Sequence, residues 1–310
     1  MPNQFIGNHS LYFYAQKATV SGTVALKATV PDTMALEKIH ERFTTVSVCK
    51  KGTGTTYMLQ IKNLTLTHKK DLREILSNFS CVFNNGDKAV IIGEEGNGKS
   101  TLLKWLYDPS LVEEYCEAEG ERLVSGEVLG YLAQELPKED QQKSVYEFFS
   151  EQESFWNQTP KELNQKAVKF HIAPDFFYRE QQMSTLSGGE KVKAQLMRIL
   201  FAEPTVLLLD EPSNDIDIET LETLEELMLS WDKIVIYISH DETLIERTAN
   251  KIIHIEQIRR KTKSRFCIAN TSYTEYLKNR SSQMENQARQ AADERRQKQI
   301  RDEKFQRIYQ

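Results

Sequence analysis

Nine consecutive residues, Gly93, Glu94, Glu95, Gly96, Asn97, Gly98, Lys99, Ser100 and Thr101, combine glycines, a cation and two hydroxyls. Glycines at this spacing let backbone N–H groups turn inward on an anion, and Lys99 can neutralise the outer oxygens of a polyphosphate. The Ser100 hydroxyl suits magnesium. A second run, Val206-Leu-Leu-Leu-Asp210-Glu211, ends an apolar stretch in two carboxylates. Asp210 fits a metal shell, and Glu211 is placed to orient or deprotonate a water. A third run, Leu186-Ser-Gly-Gly-Glu190, carries Ser187 and Glu190 at the spacing of a helix-capping box.

These runs need particular elements to hold them. The glycine-rich loop follows a strand pattern at 89–92 and precedes a helix pattern at 102–106, the context a phosphate loop requires. Apolar runs at 88–92, 205–209 and 234–238 lack polar alternation, as strands buried on both faces do. Residues 58–270 alternate strand-like and helix-like segments, which predicts an α/β fold with a partly parallel sheet. A helical, aromatic subdomain is expected at about 141–190, with Tyr146, Phe148, Phe149, Phe155 and Trp156. Residues 252–269 read as a β-hairpin with a basic tip, Arg259 to Arg265.

The two ends differ in texture. Residues 1–57 carry no motif and are expected to form a poorly ordered extension or translated upstream sequence, with Met58 a plausible initiator. Residues 276–310 lack Gly and Pro and read as a long charged helix with a thin apolar stripe (Met284, Ala288, Ala291, Ala292, Ile300, Phe305, Ile308). Such a helix needs a partner surface. The domains expected are thus 1–57, 58–275 and 276–310.

A net charge of −5 argues against a wholly basic nucleic-acid binder. No apolar run approaches the roughly 18 residues of a membrane span, so no direct membrane insertion is expected. The N-terminus lacks a secretory signal pattern. Cys49, Cys81, Cys116 and Cys267 are scattered without metal spacing, which fits reduced thiols in a cytoplasmic protein.

Over roughly residues 58–257, the three runs in this order resemble the ATP-binding cassette (ABC) nucleotide-binding domain. The resemblance implies a P-loop core with a parallel sheet, an antiparallel β part and a helical subdomain, with ATP and Mg2+ bound. It implies that Ser187, Gly188 and Gly189 contact the γ-phosphate held by a second cassette in a head-to-tail dimer. Gln134, in Gly130-Tyr-Leu-Ala-Gln134, matches the Q-loop glutamine that contacts magnesium and water. His240, in Ile238-Ser-His240-Asp241, matches the switch histidine. Asp217, in Ser213-Asn-Asp-Ile-Asp217, resembles the D-loop aspartate, and the adenine-stacking position falls at His68. The implied catalytic set is Glu211, His240 and Gln134, and the implied metal set is Ser100, Gln134 and Asp210.

Finer features look most like the ABC-F group, soluble tandem-cassette proteins that act on ribosomes. The signature ends in Glu190. The stretch Asp210-Glu-Pro-Ser-Asn-Asp-Ile-Asp217 is close to that group's Asp-Glu-Pro-Thr-Asn-His-Leu-Asp, with Ser213 and Asp215 in place of threonine and histidine. Asn270-Thr-Ser-Tyr273-Thr-Glu-Tyr276-Leu runs directly into the charged helix, as the first cassette of that group runs into its linker. The resemblance implies a translation factor or an antibiotic-resistance ribosomal protection protein, with rRNA as partner. Two ATP sites need two cassettes, so either the chain dimerises or it is the front portion of a longer protein, the reading we favour. The alternative is the ATP-binding subunit of an ABC transporter. A chromosome-maintenance or DNA-repair ATPase is disfavoured, because Asp210 lies only 111 residues beyond Lys99, which leaves no room for its coiled coils.

Overall fold

The computed structural model describes residues 58–308 apart from 125 and 259–262. The expected N-terminal extension, 1–57, and the start of the basic hairpin tip lie outside the described residues. The strands are β1 (Met58–His68), β2 (Glu74–Asn84), β3 (Lys88–Ile92), β4 (Cys116–Val124), β5 (Leu129–Leu132), β6 (Val206–Asp210), β7 (Ile234–Ile238), β8 (Lys251–Ile258) and β9 (Lys263–Ala269). The principal helices are α1 (Lys99–Tyr107), α2 (Val145–Ser150), α3 (Pro160–Lys169), α4 (Gly188–Phe201), α5 (Ile218–Ser230), α6 (Glu242–Thr248) and α7 (Tyr273–Ile308).

A six-stranded sheet in the order β5-β6-β7-β3-β8-β9 is parallel except for β9, which closes a hairpin with β8. A second, antiparallel sheet runs β2-β1-β4. The fold is therefore α/β with a mixed sheet and a long C-terminal helix, as expected.

Burial explains the two strand textures. Every residue of β6 and β7 is buried, and their side chains alternate between two cores. Leu207, Leu209, Val235 and Tyr237 face the helical side. Val206, Leu208, Ile234, Ile236 and Ile238 face the antiparallel sheet. Burying one such Leu or Ile contributes about 1.5–3 kcal/mol, so this double-sided strand pair anchors the site that follows it. By contrast β1 alternates buried and exposed positions, as a one-sided sheet should.

The helical region between β5 and β6 is organised by capping boxes, Ser144 with Glu147 at α2 and Thr159 with Glu162 at α3. Its core is aromatic: the Phe149 ring centroid lies 5.4 Å from Phe148, 5.1 Å from Phe177 and 5.8 Å from Phe201. Trp156 is not part of that core. It is 61% exposed, and its indole N–H donates to the Ser150 carbonyl at 2.7 Å.

Helix α7 begins at Tyr273, three residues before the expected start. Tyr276 is buried, and its hydroxyl lies 2.6 Å from His254 Nδ1 on β8. Arg280 pairs with Glu256 on the same strand. From 281 to 301 every residue is exposed, including Met284 at 60% and Ile300 at 45%, so the apolar stripe has no cover within the described residues. No helix among the described residues is long and apolar enough to cross a membrane.

Candidate functional site

The carboxyl ends of β3, β6 and β7 lie side by side, and the chain leaving each supplies one part of a single pocket. Ligands of open parallel sheets bind at these strand ends. After β3 the loop turns into α1 through Gly98, whose φ of 81° and lack of a Cβ are both required. A Cβ there would stand 2.0 Å from Ile75 Cγ2. Asn97 is buried and its amide donates to the Ile255 carbonyl at 3.2 Å, tying the loop to β8.

Lys99 is 7% exposed. Its ammonium donates to the carbonyls of Gly93 at 2.9 Å and Glu94 at 3.1 Å, so it lies along the loop facing inward. Burial lowers its pKa, opposed by the charges of Glu211, Glu95 and Asp210. The Ser100 hydroxyl donates to Asp210 Oδ1 at 2.9 Å, and the Tyr131 hydroxyl donates to Oδ2 at 3.3 Å. Burial raises the Asp210 pKa, while these hydrogen bonds and Lys104 and Lys99 pull it down.

Glu211 is held under strain. Its φ of 52° is left-handed, a region that costs a side-chain-bearing residue on the order of 1–3 kcal/mol. Its N–H donates to the Ile238 carbonyl at 3.1 Å, which locks this turn to the end of β7. Oε1 lies 3.1 Å from His240 Nε2, while Oε2 is buried without a hydrogen-bond partner among the described residues. Burial raises the Glu211 pKa, with His240 and Lys99 acting against it.

The pocket, about 400 Å³, brings together His68, Glu95, Gly96, Gly98, Lys99, Ser100, Thr101, Gln134, Glu211 and His240 from the expected set. Asp210 sits just behind Ser100. Gly93 and Glu94 serve through the carbonyls that hold Lys99. Four further residues, Arg73, Ile75, Tyr115 and Asn214, also line the pocket and were not foreseen. Asn214 had a signal in its place between Glu211 and Asp217, but Arg73, Ile75 and Tyr115 sit in segments without a motif.

Among the described residues no three His, Cys, Asp or Glu side chains are grouped as a metal cage. Ser100 and Asp210 fit a hard cation all the same. Mg2+ is commonly held by one or two protein oxygens together with phosphate oxygens and waters.

Ser187, Gly188, Gly189 and Asp217 do not line this pocket. They form a second cluster. Ser187 caps α4, accepting from the Glu190 N–H at 3.2 Å while its own N–H and hydroxyl donate to Glu190 Oε2 at 3.0 and 2.9 Å. Asp217 caps α5 by accepting from the Thr220 N–H at 2.8 Å. The two caps are packed together tightly: a Cβ on Gly188 would meet the Asp215 carbonyl at 1.9 Å, and one on Gly189 would meet Thr220 Oγ1 at 2.5 Å and Asp217 Oδ2 at 2.7 Å.

Residues 76–214 match the protein family described as "ABC transporter". The ATP-binding protein Uup of Buchnera aphidicola subsp. Schizaphis graminum is 30% identical over 201 residues, covering 63% of this chain and 32% of that protein. The ribosome protection protein VmlR of Bacillus subtilis is 30% identical over 197 residues, covering 62% and 33%. The matched segment thus spans about a third of each relative's own length. Among solved structures, a bacterial Atm1-family ABC exporter with ATP bound is similar with a TM-score of 0.56 at 21% identity, covering 83% of this chain and 47% of that one.

Proposed function

We propose that the chain is an ABC-type ATPase of the ABC-F group that binds ATP with Mg2+, hydrolyses it and acts on the ribosome; the match of residues 76–214 to the family described as "ABC transporter" and the likeness to an ATP-binding protein and a ribosome protection protein support this reading. The observation that carries the chemistry is the convergence of Lys99, Ser100, Glu211 and His240 on one pocket. In this reading the loop 93–101 and the N-terminus of α1 hold the β- and γ-phosphates with Lys99. Ser100, Asp210 and Gln134 would hold Mg2+, which when bound adds positive charge beside the phosphate oxygens. Glu211 takes up or orients the water proton through the oxygen that has no protein partner, and His240 fixes the other oxygen. His68 lies at the edge where the base would rest.

Ser187, Gly188, Gly189 and Asp217 lie outside this pocket and serve the pocket of a second cassette. That cassette is a second copy of the chain or a C-terminal half beyond it. Residues 58–275 form the ATPase unit, with a helical part at about 141–190, and 276–310 is a linker. Closure of two cassettes around ATP then moves the linker.

Two observations support the ribosome as partner. One similar protein is named for ribosome protection, and residues 278–310 hold nine Arg and Lys against five Asp and Glu, a balance suited to RNA phosphates. The setting proposed is the cytoplasm.

The test is Mg2+-dependent phosphate release by the purified protein, together with cosedimentation of a Glu211→Gln variant with ribosomes in ATP. We expect both. Absence of phosphate release at every protein concentration would remove the ATPase, whereas copurification with a membrane permease in place of ribosomes would establish a transporter subunit.

A further inference from the structure

The pocket that holds Lys99 is also lined by a second cation, Arg73, that no motif accounts for. Its position is built with care. The β1–β2 turn closes with the His68 N–H donating to the Arg73 carbonyl at 2.9 Å. Inside the turn one carboxylate oxygen, Asp71 Oδ1, accepts from the Arg73 N–H at 3.2 Å and lies 2.9 Å from His68 Nδ1. Two residues after Arg73, on the same side of an extended chain, Ile75 packs under Gly98 at the start of α1. Arg73 therefore stands between His68, at one edge of the pocket, and the phosphate loop.

Its guanidinium is partly buried and only loosely engaged, by an ion pair with Asp71. Nε is hidden from solvent and has no hydrogen-bond partner among the described residues. The nearest carboxylate oxygen, Asp71 Oδ2, is 4.0 Å away, too far for a hydrogen bond. A guanidinium stays charged and presents five donors in a planar fork suited to phosphate. A fork held only by a 4.0 Å ion pair, its Nε without a hydrogen-bond acceptor among the described residues, at the wall of a pocket that also holds Lys99 is suited to take a phosphate oxygen.

We propose that Arg73 is a second phosphate-binding cation of this pocket, gripping the phosphate nearest the sugar, with Asp71 as the positioning residue that sets both Arg73 and His68. This rests on the nucleotide reading above and deepens it. Lys99 addresses the outer phosphates, which differ between ATP and ADP. Arg73 addresses the inner one, which both share. Its contribution is therefore equal for the two nucleotides.

The experiment titrates fluorescent mant-ATP and mant-ADP with the full chain, the Arg73→Ala and Arg73→Lys variants, and Asp71→Asn. We expect Arg73→Ala to weaken both nucleotides about tenfold and to flatten the salt dependence of binding. Arg73→Lys should recover part of the loss, which a packing defect would not allow. Asp71→Asn should weaken both nucleotides by a smaller, equal factor. An unchanged affinity in a folded Arg73→Ala variant overturns the proposal while leaving the nucleotide reading intact. Failure of the unsubstituted chain to bind either nucleotide overturns both. Should Arg73→Ala not fold, arginine modification by phenylglyoxal decides the matter in the unsubstituted protein. ATP should protect Arg73, and equal modification with and without ATP overturns the role.

Discussion

His240 Nε2 lies 3.1 Å from Glu211 Oε1, joining a residue after β7 to a carboxylate after β6 that is only 8% exposed. The contact leaves the other carboxylate oxygen free, on a backbone turned left-handed at φ 52°. Proton-accepting help from such a group is typically worth about 10²–10⁴-fold in rate. Glu211→Gln should keep nucleotide affinity while lowering phosphate release by that range. Undiminished turnover would remove Glu211 from the reaction.

His240→Ala should also slow turnover, by about tenfold to a hundredfold, because Glu211 then loses its orienting partner. Nucleotide binding, read by mant-ATP fluorescence, should change little. A loss of binding larger than the loss of turnover would place His240 in holding the nucleotide instead.

In the function proposed, the Ser187–Gly189 cluster, which lies outside the pocket, serves a second cassette, and hydrolysis then depends on that cassette. Phosphate release per chain should rise with protein concentration, and Gly188→Ala should abolish that rise, because its Cβ would displace the Asp215 carbonyl. A rate per chain that stays flat down to nanomolar protein would contradict a shared site.

The attachment of α7 should weaken in acid. Burial, assisted by the Arg280 charge, lowers the His254 pKa to about 4, against an ordinary 6.5. The folded state therefore keeps a neutral ring while the unfolded chain protonates. The stability this contributes is complete above pH 6.5 and is lost as pH falls toward 4, on the order of 2 kcal/mol across that window. Urea unfolding at stepped pH should show this loss in the parent and a smaller one in His254→Gln. Identical pH slopes would show that the ring is not the source.

Much of the fold and of the site was legible because the informative residues are close in sequence. The loop from Gly93 to Thr101 carries its own strand before and helix after, and the all-apolar runs of β6 and β7 announce burial on both faces. The pocket wall was not legible for the opposite reason. Arg73, Ile75 and Tyr115 belong to a turn, a strand start and a loop whose local patterns are ordinary, and only the packing of the antiparallel sheet against α1 brings them to Lys99. Trp156 belongs to the aromatic helical segment as its sequence suggests, packing at the edge of Phe155 while 61% exposed. Helix α7 starts three residues before the charged composition begins, since the Ser272 carbonyl already accepts the first helical hydrogen bond from Tyr276.

Strand β8 works on two fronts at once. His254 and Glu256 project toward α7, while Ile253, Ile255 and Gln257 project toward the antiparallel sheet, where the Gln257 amide donates to the Ile75 carbonyl at 2.9 Å. Because strand side chains alternate with a period of two, inserting or deleting one residue upstream of His254 would exchange the two sets. An imidazole and a carboxylate would enter the apolar layer beneath the phosphate loop, and Tyr276 would face isoleucine. The length of the segment between α6 and β8 is thus a fixed quantity of this protein, since a single added residue would unseat the helix and disturb the nucleotide pocket in the same stroke.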